Sequence, residues 1–329
     1  MKICVTGGAG FIGSHFVHLI ARERPDWKIV VLDKLTYAGR RDNVPESVEF
    51  VHGDICHLAD AARAVEGCDI VFNFAAESHV DRSLLTAGDF VQTDVYGVFV
   101  LLEAARTTGA RFVQVSTDEV YGDIENGRSV ETDPLAPRSP YSSTKAGGEL
   151  LARSYFVSHG VPVIITRGSN TFGPRQYPEK LMPLFITNAM QDLPLPMYGD
   201  GLQRRDWLFA EDHARGILCA AENGEAGEAY NIGGGNERTN RDVTYAILNA
   251  LGKDESLIRH VADRPGHDRR YALDCTKLHA LGWTPHHSFD ESVEQTVAWY
   301  QQNEAWWHAI RDDDEYQTFY TTNYAARLK

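Results

Sequence analysis

The stretch Thr6-Gly7-Gly8-Ala9-Gly10-Phe11-Ile12-Gly13 decides the architecture. It follows an apolar run at 2–6 and opens an amphipathic one at 12–23, so it reads as a strand turning into a helix. A glycine at the first position permits the tight turn. A second, Gly10, lets backbone N–H groups approach an anion at the helix start, and a third, Gly13, lets helix and strand pack closely. A glycine triplet alone is a weak signal. Here Asp33 ends the next strand, at 28–33, about twenty residues past Gly13, where a carboxylate accepts both hydroxyls of an adenosine ribose. That carboxylate repels a 2′-phosphate, so NAD is expected over NADP, with Lys34 beside it as a mild counter-signal. Asp54, at the end of a third strand, is in place to meet the adenine amino group.

Working outward, short apolar runs at 2–6, 28–33, 48–52, 70–73, 111–116 and 161–167 alternate with helix-like stretches such as 12–23 and 90–108. Strands separated by helix-length segments require right-handed crossovers, and these build a parallel sheet covered on both faces. The expected fold is therefore α/β: a Rossmann-type doubly wound parallel sheet with a smaller, mixed α/β substrate-binding region. After Arg167 the alternation weakens and prolines at 174, 178, 183, 194 and 196 break the chain. This divides it into a dinucleotide-binding domain at 1–168, with segments returning near 204–233, and a second region at 169–329. At 329 residues the chain is near the size at which one core begins to split. The aromatic tail from Trp299 to Tyr324 is expected to be packing.

Composition narrows the function class. Forty-six acidic against 32 basic residues give a net charge of −14, which disfavours nucleic acid and anionic membranes as partners. No apolar run approaches the ~20 residues that span a bilayer. The N-terminus has no signal-peptide layout, and Cys4, Cys56, Cys68, Cys219 and Cys275 show neither a CxxC pair nor an even framework. A reducing cytoplasm is the expectation, and no metal site is read.

Two further motifs carry chemistry. Phe112-Val-Gln-Val-Ser-Thr117-Asp118-Glu119 runs from a strand into a carboxyl-end loop, where open α/β sheets hold their ligands. Adjacent carboxylates on a regular strand face opposite ways; beyond the strand end both can line one pocket. Tyr141-Ser-Ser-Thr-Lys145 follows Pro140, a favoured first-turn residue, and i, i+4 spacing puts tyrosine and lysine on one helical face. A cationic lysine beside a cationic nicotinamide favours the phenolate, which can take a proton from a sugar hydroxyl.

Together with Asp33-Lys34-Leu35-Thr36-Tyr37-Ala38-Gly39 and Ala75-Ala76-Glu77-Ser78-His79-Val80-Asp81, these motifs resemble the extended short-chain dehydrogenase/reductase superfamily and, within it, the dTDP-glucose 4,6-dehydratases. The likeness continues through Ser169-Asn170, Pro178-Glu179-Lys180-Leu181, Tyr198-Gly199-Asp200-Gly201, Arg205-Asp206-Trp207, 231–240 and Arg264-Pro265-Gly266-His267. The Thr-Asp-Glu triplet discriminates, since related epimerases carry small or neutral residues there. Thr171-Phe172 stands where the family usually reads Asn-Tyr, and Thr171 offers a hydroxyl in the place of that Asn. The aromatic tail beyond Trp299 carries none of the motifs on which the likeness rests.

The resemblance implies a hydro-lyase that oxidises carbon 4, eliminates water across carbons 5 and 6, and reduces carbon 6. It assigns Tyr141, with Lys145, as base at the 4-hydroxyl, Glu119 as base at carbon 5, Asp118 as acid for the 6-hydroxyl and Thr117 as donor to the 4-oxygen. Dinucleotide contacts are implied at Gly7, Gly10, Phe11, Ile12, Gly13, Asp33, Lys34, Thr36, Asp54, Ile55, Ala75, Ala76, Thr93, Ser116, Tyr141 and Lys145. A nucleotide-diphosphate sugar needs cations in an acidic protein, and Lys180, Arg205, Arg264 and His267 can supply them. Ser78, Thr117, Asn170, Leu181, Tyr198 and Asn240 complete the expected substrate contacts. A homodimer through helices at 90–108 and 142–158 is expected from apolar residues on more than one face: Val95, Phe99, Leu102, Leu151, Tyr155 and Phe156. The competing readings are a UDP-glucose 4,6-dehydratase or nucleotide-sugar epimerase, and a non-catalytic NAD-binding protein.

Overall fold

The structure is a computed structural model that describes residues 1–263, 267–324, 326 and 328. The expected contact at Arg264 lies outside the described residues. The first half alternates β1 (Lys2–Thr6), α1 (Phe11–Glu23), β2 (Lys28–Asp33), β3 (Glu49–His52), α2 (Leu58–Val65), β4 (Ile70–Asn73), the short α3 (Val80–Ser83) and α4 (Ala87–Val91), α5 (Val98–Thr108), β5 (Arg111–Thr117), α6 (Pro140–His159) and β6 (Val163–Gly168). Then come β7 (Asn170–Phe172), α7 (Leu181–Met190), β8 (Leu195–Tyr198), β9 (Arg204–Phe209), α8 (Ala210–Asn223), β10 (Ala229–Ile232), β11 (Glu237–Thr239), α9 (Asn240–Leu251), β12 (Ile258–Val261), α10 (Thr276–His279), α11 (Phe289–Gln302), α12 (Glu304–Arg311) and α13 (Asp314–Asn323).

Seven strands form one sheet in the order β10-β6-β5-β4-β1-β2-β3, and each neighbouring pair is parallel. Side chains alternate between its faces: Ile3, Val5 and Val31 pack with Phe16 of α1 and Ile217 of α8, whereas Cys4, Val30 and Leu32 pack with Leu101 of α5 and Ala152 of α6. Burial on both faces is why these strands read as unbroken apolar runs. Burying each large side chain contributes roughly 1.5–3 kcal/mol. The order reverses between β1 and β4, and the crevice at their carboxyl ends is where such sheets bind ligands.

Residues 210–232 return from the second region to this sheet, as α8 against α1 and β10 beside β6. The rest of the second region has its own core, built on Phe172, Phe185, Trp207, Phe209, Phe289, Tyr300 and Trp307. Two small sheets, β11-β9-β7 and β12-β8, frame it.

One expected element differs. The single helix read at 90–108 is α4, then a π-helical turn at Gln92–Gly97, then α5. The extra residue of a π turn rotates the faces of the downstream helix by about 100°. Leu102 therefore joins the core, as does Tyr155 of α6, while Phe99 stays exposed. The exposed apolar residues on these helices are Val91, Tyr96, Phe99, Leu150 and Val157 rather than the full set expected from the sequence.

Candidate active site

A cleft of about 360 Å³ runs along the carboxyl ends of the sheet between the two cores. Its dinucleotide half begins at Gly7, whose φ of +67° an L side chain rarely adopts; a Cβ there would also lie 2.6 Å from the backbone nitrogen of Ala75. A Cβ on Gly13 would collide with the Gly7 carbonyl oxygen. Helix α1 starts at Gly10 without a side-chain cap, so its first-turn N–H groups and its dipole are available to an anion. Asp33 accepts from the backbone N–H of Ala9 at 2.9 Å and of Leu35 at 2.8 Å, which fixes its carboxylate at the cleft. Burial pushes its pKa up and those two donors oppose the shift. Lys34 and Asp54 both line the cleft and pair with each other at 2.8 Å, so the lysine charge is already met. Ile55, Ala75, Ala76 and Thr36 line the same half.

The chemical half is built by three elements. Strand β5 ends at Thr117, and a 3₁₀ turn at Asp118–Tyr121 comes next. The Thr117 hydroxyl accepts from the Glu119 N–H at 3.3 Å and contacts Asp118 Oδ1 at 3.3 Å, so the pleat is broken where the two carboxylates leave it. Both line the cleft. Asp118 is buried, and burial with the neighbouring Glu119 charge holds its carboxyl well above the usual range, against the pull of Arg205. Helix α6 begins with Ser139 as cap in a reciprocal capping box and Pro140 in its first turn. It carries Tyr141 and Lys145 into the cleft, where the lysine Nζ donates to the Val115 carbonyl at 2.8 Å. Burial lowers the Lys145 pKa while Asp94 opposes it. Burial and the Glu119 charge push the Tyr141 phenol well above 10. The chain's own charges therefore do not depress the phenol; the depression expected from the sequence rests on a cationic nicotinamide.

The π turn supplies the third element. It turns Thr93 to the cleft and Asp94 inward, where its carboxylate accepts from the Glu77 N–H at 2.9 Å and the Thr144 hydroxyl at 3.0 Å. Burial raises Asp94 to about 7, with Lys145 opposing.

Of the expected substrate contacts, Ser78, Thr117, Asn170, Lys180 and Leu181 line this cleft. Tyr198, Arg205, Asn240 and His267 are not among its lining residues. The Arg205 guanidinium is buried over the Tyr271 ring and donates to the carbonyls of Arg204 and Asp268, each at 2.8 Å, so it is engaged within the second region. Tyr198 donates to Asp81 at 3.3 Å, and His267 pairs with Asp263 at 2.6 Å. Asn240 opens α9.

Sequence reasoning missed Gln176, Tyr177, Glu179, Met182, Trp207 and His213 as site residues, all cleft-lining, and Thr171, read as offering a hydroxyl, lines the cleft too. Glu179 lies within the motif Pro178-Glu179-Lys180-Leu181, but nothing local signals its pairing with Arg82 at 2.9 Å. His213 carries no motif at all. The Thr171 hydroxyl is engaged with its Nδ1 at 2.8 Å and with the Ser169 carbonyl at 3.0 Å. Among the described residues no helix is long and apolar enough to cross a membrane.

Comparison with known proteins agrees with this geometry. The model of the family described as GDP-mannose 4,6 dehydratase matches residues 4–296. A dTDP-glucose 4,6-dehydratase of Streptomyces antibioticus is 50% identical over 320 residues, covering 94% of this chain and 96% of that protein. DesIV, a dTDP-glucose 4,6-dehydratase from Streptomyces venezuelae solved with NAD bound, has a TM-score of 0.92 at 49% identity, over 94% of this chain and 100% of that one. A UDP-glucose 4-epimerase of Thermus thermophilus in complex with NAD has a TM-score of 0.87 at 33% identity, over 92% and 100%. With the match running through both the dinucleotide half and the second region, the chain belongs to the GDP-mannose 4,6 dehydratase family and, within it, stands with the dTDP-glucose 4,6-dehydratases.

Proposed function

We propose that the protein converts dTDP-glucose to dTDP-4-keto-6-deoxyglucose by NAD-dependent dehydration. The uncapped α1 start and the fixed Asp33 carboxylate suit a pyrophosphate and a ribose. The chemistry supplied by NAD when bound is reversible redox storage, two electrons and a hydrogen from carbon 4 being held and returned at carbon 6. Tyr141 accepts the proton of the 4-hydroxyl, with the Lys145 charge beneath it, and the Thr117 hydroxyl holds the 4-oxygen. Once carbon 4 is a ketone the hydrogen on carbon 5 is acidic; Glu119 removes it and returns a proton to carbon 5 as carbon 6 is reduced. Asp118, whose pKa burial and the Glu119 charge push up, hands its proton to the departing 6-hydroxyl. Lys180, Leu181, Ser78 and Asn170, which line the cleft, bind the sugar nucleotide.

The observation that carries this reading is the paired carboxylates beyond β5, Asp118 the more buried of the two, in the same cleft as Tyr141. An epimerase has no use for such an acid and base. The thymidine nucleotide is favoured by relatives of that name at half identity over nearly the whole chain.

We further infer a homodimer through α5 and α6, supported by the exposed Phe99, Leu150 and Val157, and a cytoplasmic location, supported by five unpaired cysteines. Incubation with dTDP-glucose should yield the alkali-induced absorbance of a 4-keto-6-deoxy sugar, and UDP-glucose far less. Equal yields from both would move the base preference away from thymidine. No product from either would overturn the reading.

A further inference from the structure

The aromatic tail has a use that filling the second core does not require. Three of its phenols donate to carbonyls along one loop: Tyr300 to Gln176, Tyr316 to Pro178 at 2.9 Å, and Tyr324 to Glu179 at 2.8 Å. All three rings are buried. The loop, 173–180, has no helix or strand of its own, so its buried carbonyls need donors from elsewhere. Gln176, Glu179 and Lys180 on this loop line the cleft.

The tail also reaches the opposite wall. Arg82 pairs with Glu179 at 2.9 Å and with Glu315 of α13 at 2.9 Å. Its guanidinium lies 3.8 Å from the Tyr37 ring and 4.5 Å from that of Phe319. Tyr37 sits between Thr36 and Ala38, which line the dinucleotide half. Arg40, from the same stretch, lies over Trp306 of α12 at 5.5 Å. One C-terminal segment is thus bonded to the substrate-side loop and packed against the dinucleotide-side loop.

We propose that the C-terminal tail is a strap that positions loop 173–180 at the cleft and so sets affinity for the sugar nucleotide, with Tyr316 and Tyr324 as its positioning residues. The identity of that ligand rests on the proposed function. Phenylalanine at either position keeps the ring and removes only the donor, so packing is preserved. Tyr316→Phe and Tyr324→Phe should each raise KM for dTDP-glucose about 3- to 10-fold, the worth of one hydrogen bond, with kcat within twofold and bound NAD unchanged. Amide hydrogen exchange should quicken in loop 173–180 and stay unchanged in the glycine loop. Tyr320→Phe, whose hydroxyl meets Asn188 rather than the loop, is the control and should move neither readout. Wild-type loop exchange in both test variants would overturn the strap, as would faster exchange with unchanged KM. Absence of wild-type turnover would instead overturn the substrate assignment, and the exchange measurement would still decide whether the tail holds the loop.

Discussion

In the proposed function Asp118 and Glu119, neighbours in sequence, take opposite tasks, and Asp118 is the more buried of the two. Because the folded-state pKa of Asp118 is raised, the group costs no stability below about pH 4, its ordinary value. Its cost grows as pH rises from there toward the folded pKa. Asp118→Asn removes that cost. The melting temperature of the variant relative to wild type should therefore climb as pH rises above about 4, while turnover falls ~10²–10⁴-fold through loss of the general acid. A flat difference across that range would mean Asp118 is ionised in the fold. Glu119→Gln should still permit oxidation at carbon 4, seen as enzyme-bound NADH in a single turnover, and should abolish solvent exchange at carbon 5; retained exchange would assign the carbon 5 base elsewhere. At this scale much was readable in advance. The glycines, Asp33, the Thr-Asp-Glu triplet and the Tyr/Lys pair announce themselves by local spacing. His213 and the pairing of Glu179 with Arg82 depend on contacts far apart in the chain and leave no local pattern.

Among the elements, the parallel strands and α1 were legible because burial on both faces of the sheet leaves unbroken apolar runs beside amphipathic helices. The break at 92–97 was not legible, because a π turn inserts one residue without altering composition. Its effect is to free Phe99 and commit Leu102 to the core. On α6, Leu150 is 55% and Val157 73% exposed, about two turns apart along one helix. If α5 and α6 pair across a twofold axis, Leu150→Glu with Val157→Glu should convert a dimer to a monomer at micromolar concentration by light scattering. Unchanged mass would exclude this face, and a monomeric wild type would exclude the dimer.

Across the whole molecule, two cores meet along one cleft, and both the returning α8–β10 segment and the C-terminal tail bind them together. Residues 210–232 return to the main sheet as α8 and β10. The tail's bonds to loop 173–180 were not foreseeable, because phenols that pack and phenols that donate look alike in sequence. The central claim is that a hydrogen leaves carbon 4 and comes back at carbon 6 within one catalytic cycle. The most direct measurement is turnover of dTDP-glucose deuterated at carbon 4, with the label located in the product. The account expects the deuterium at carbon 6 with no net accumulation of NADH. Deuterium retained at carbon 4, or lost with stoichiometric release of NADH, would contradict it.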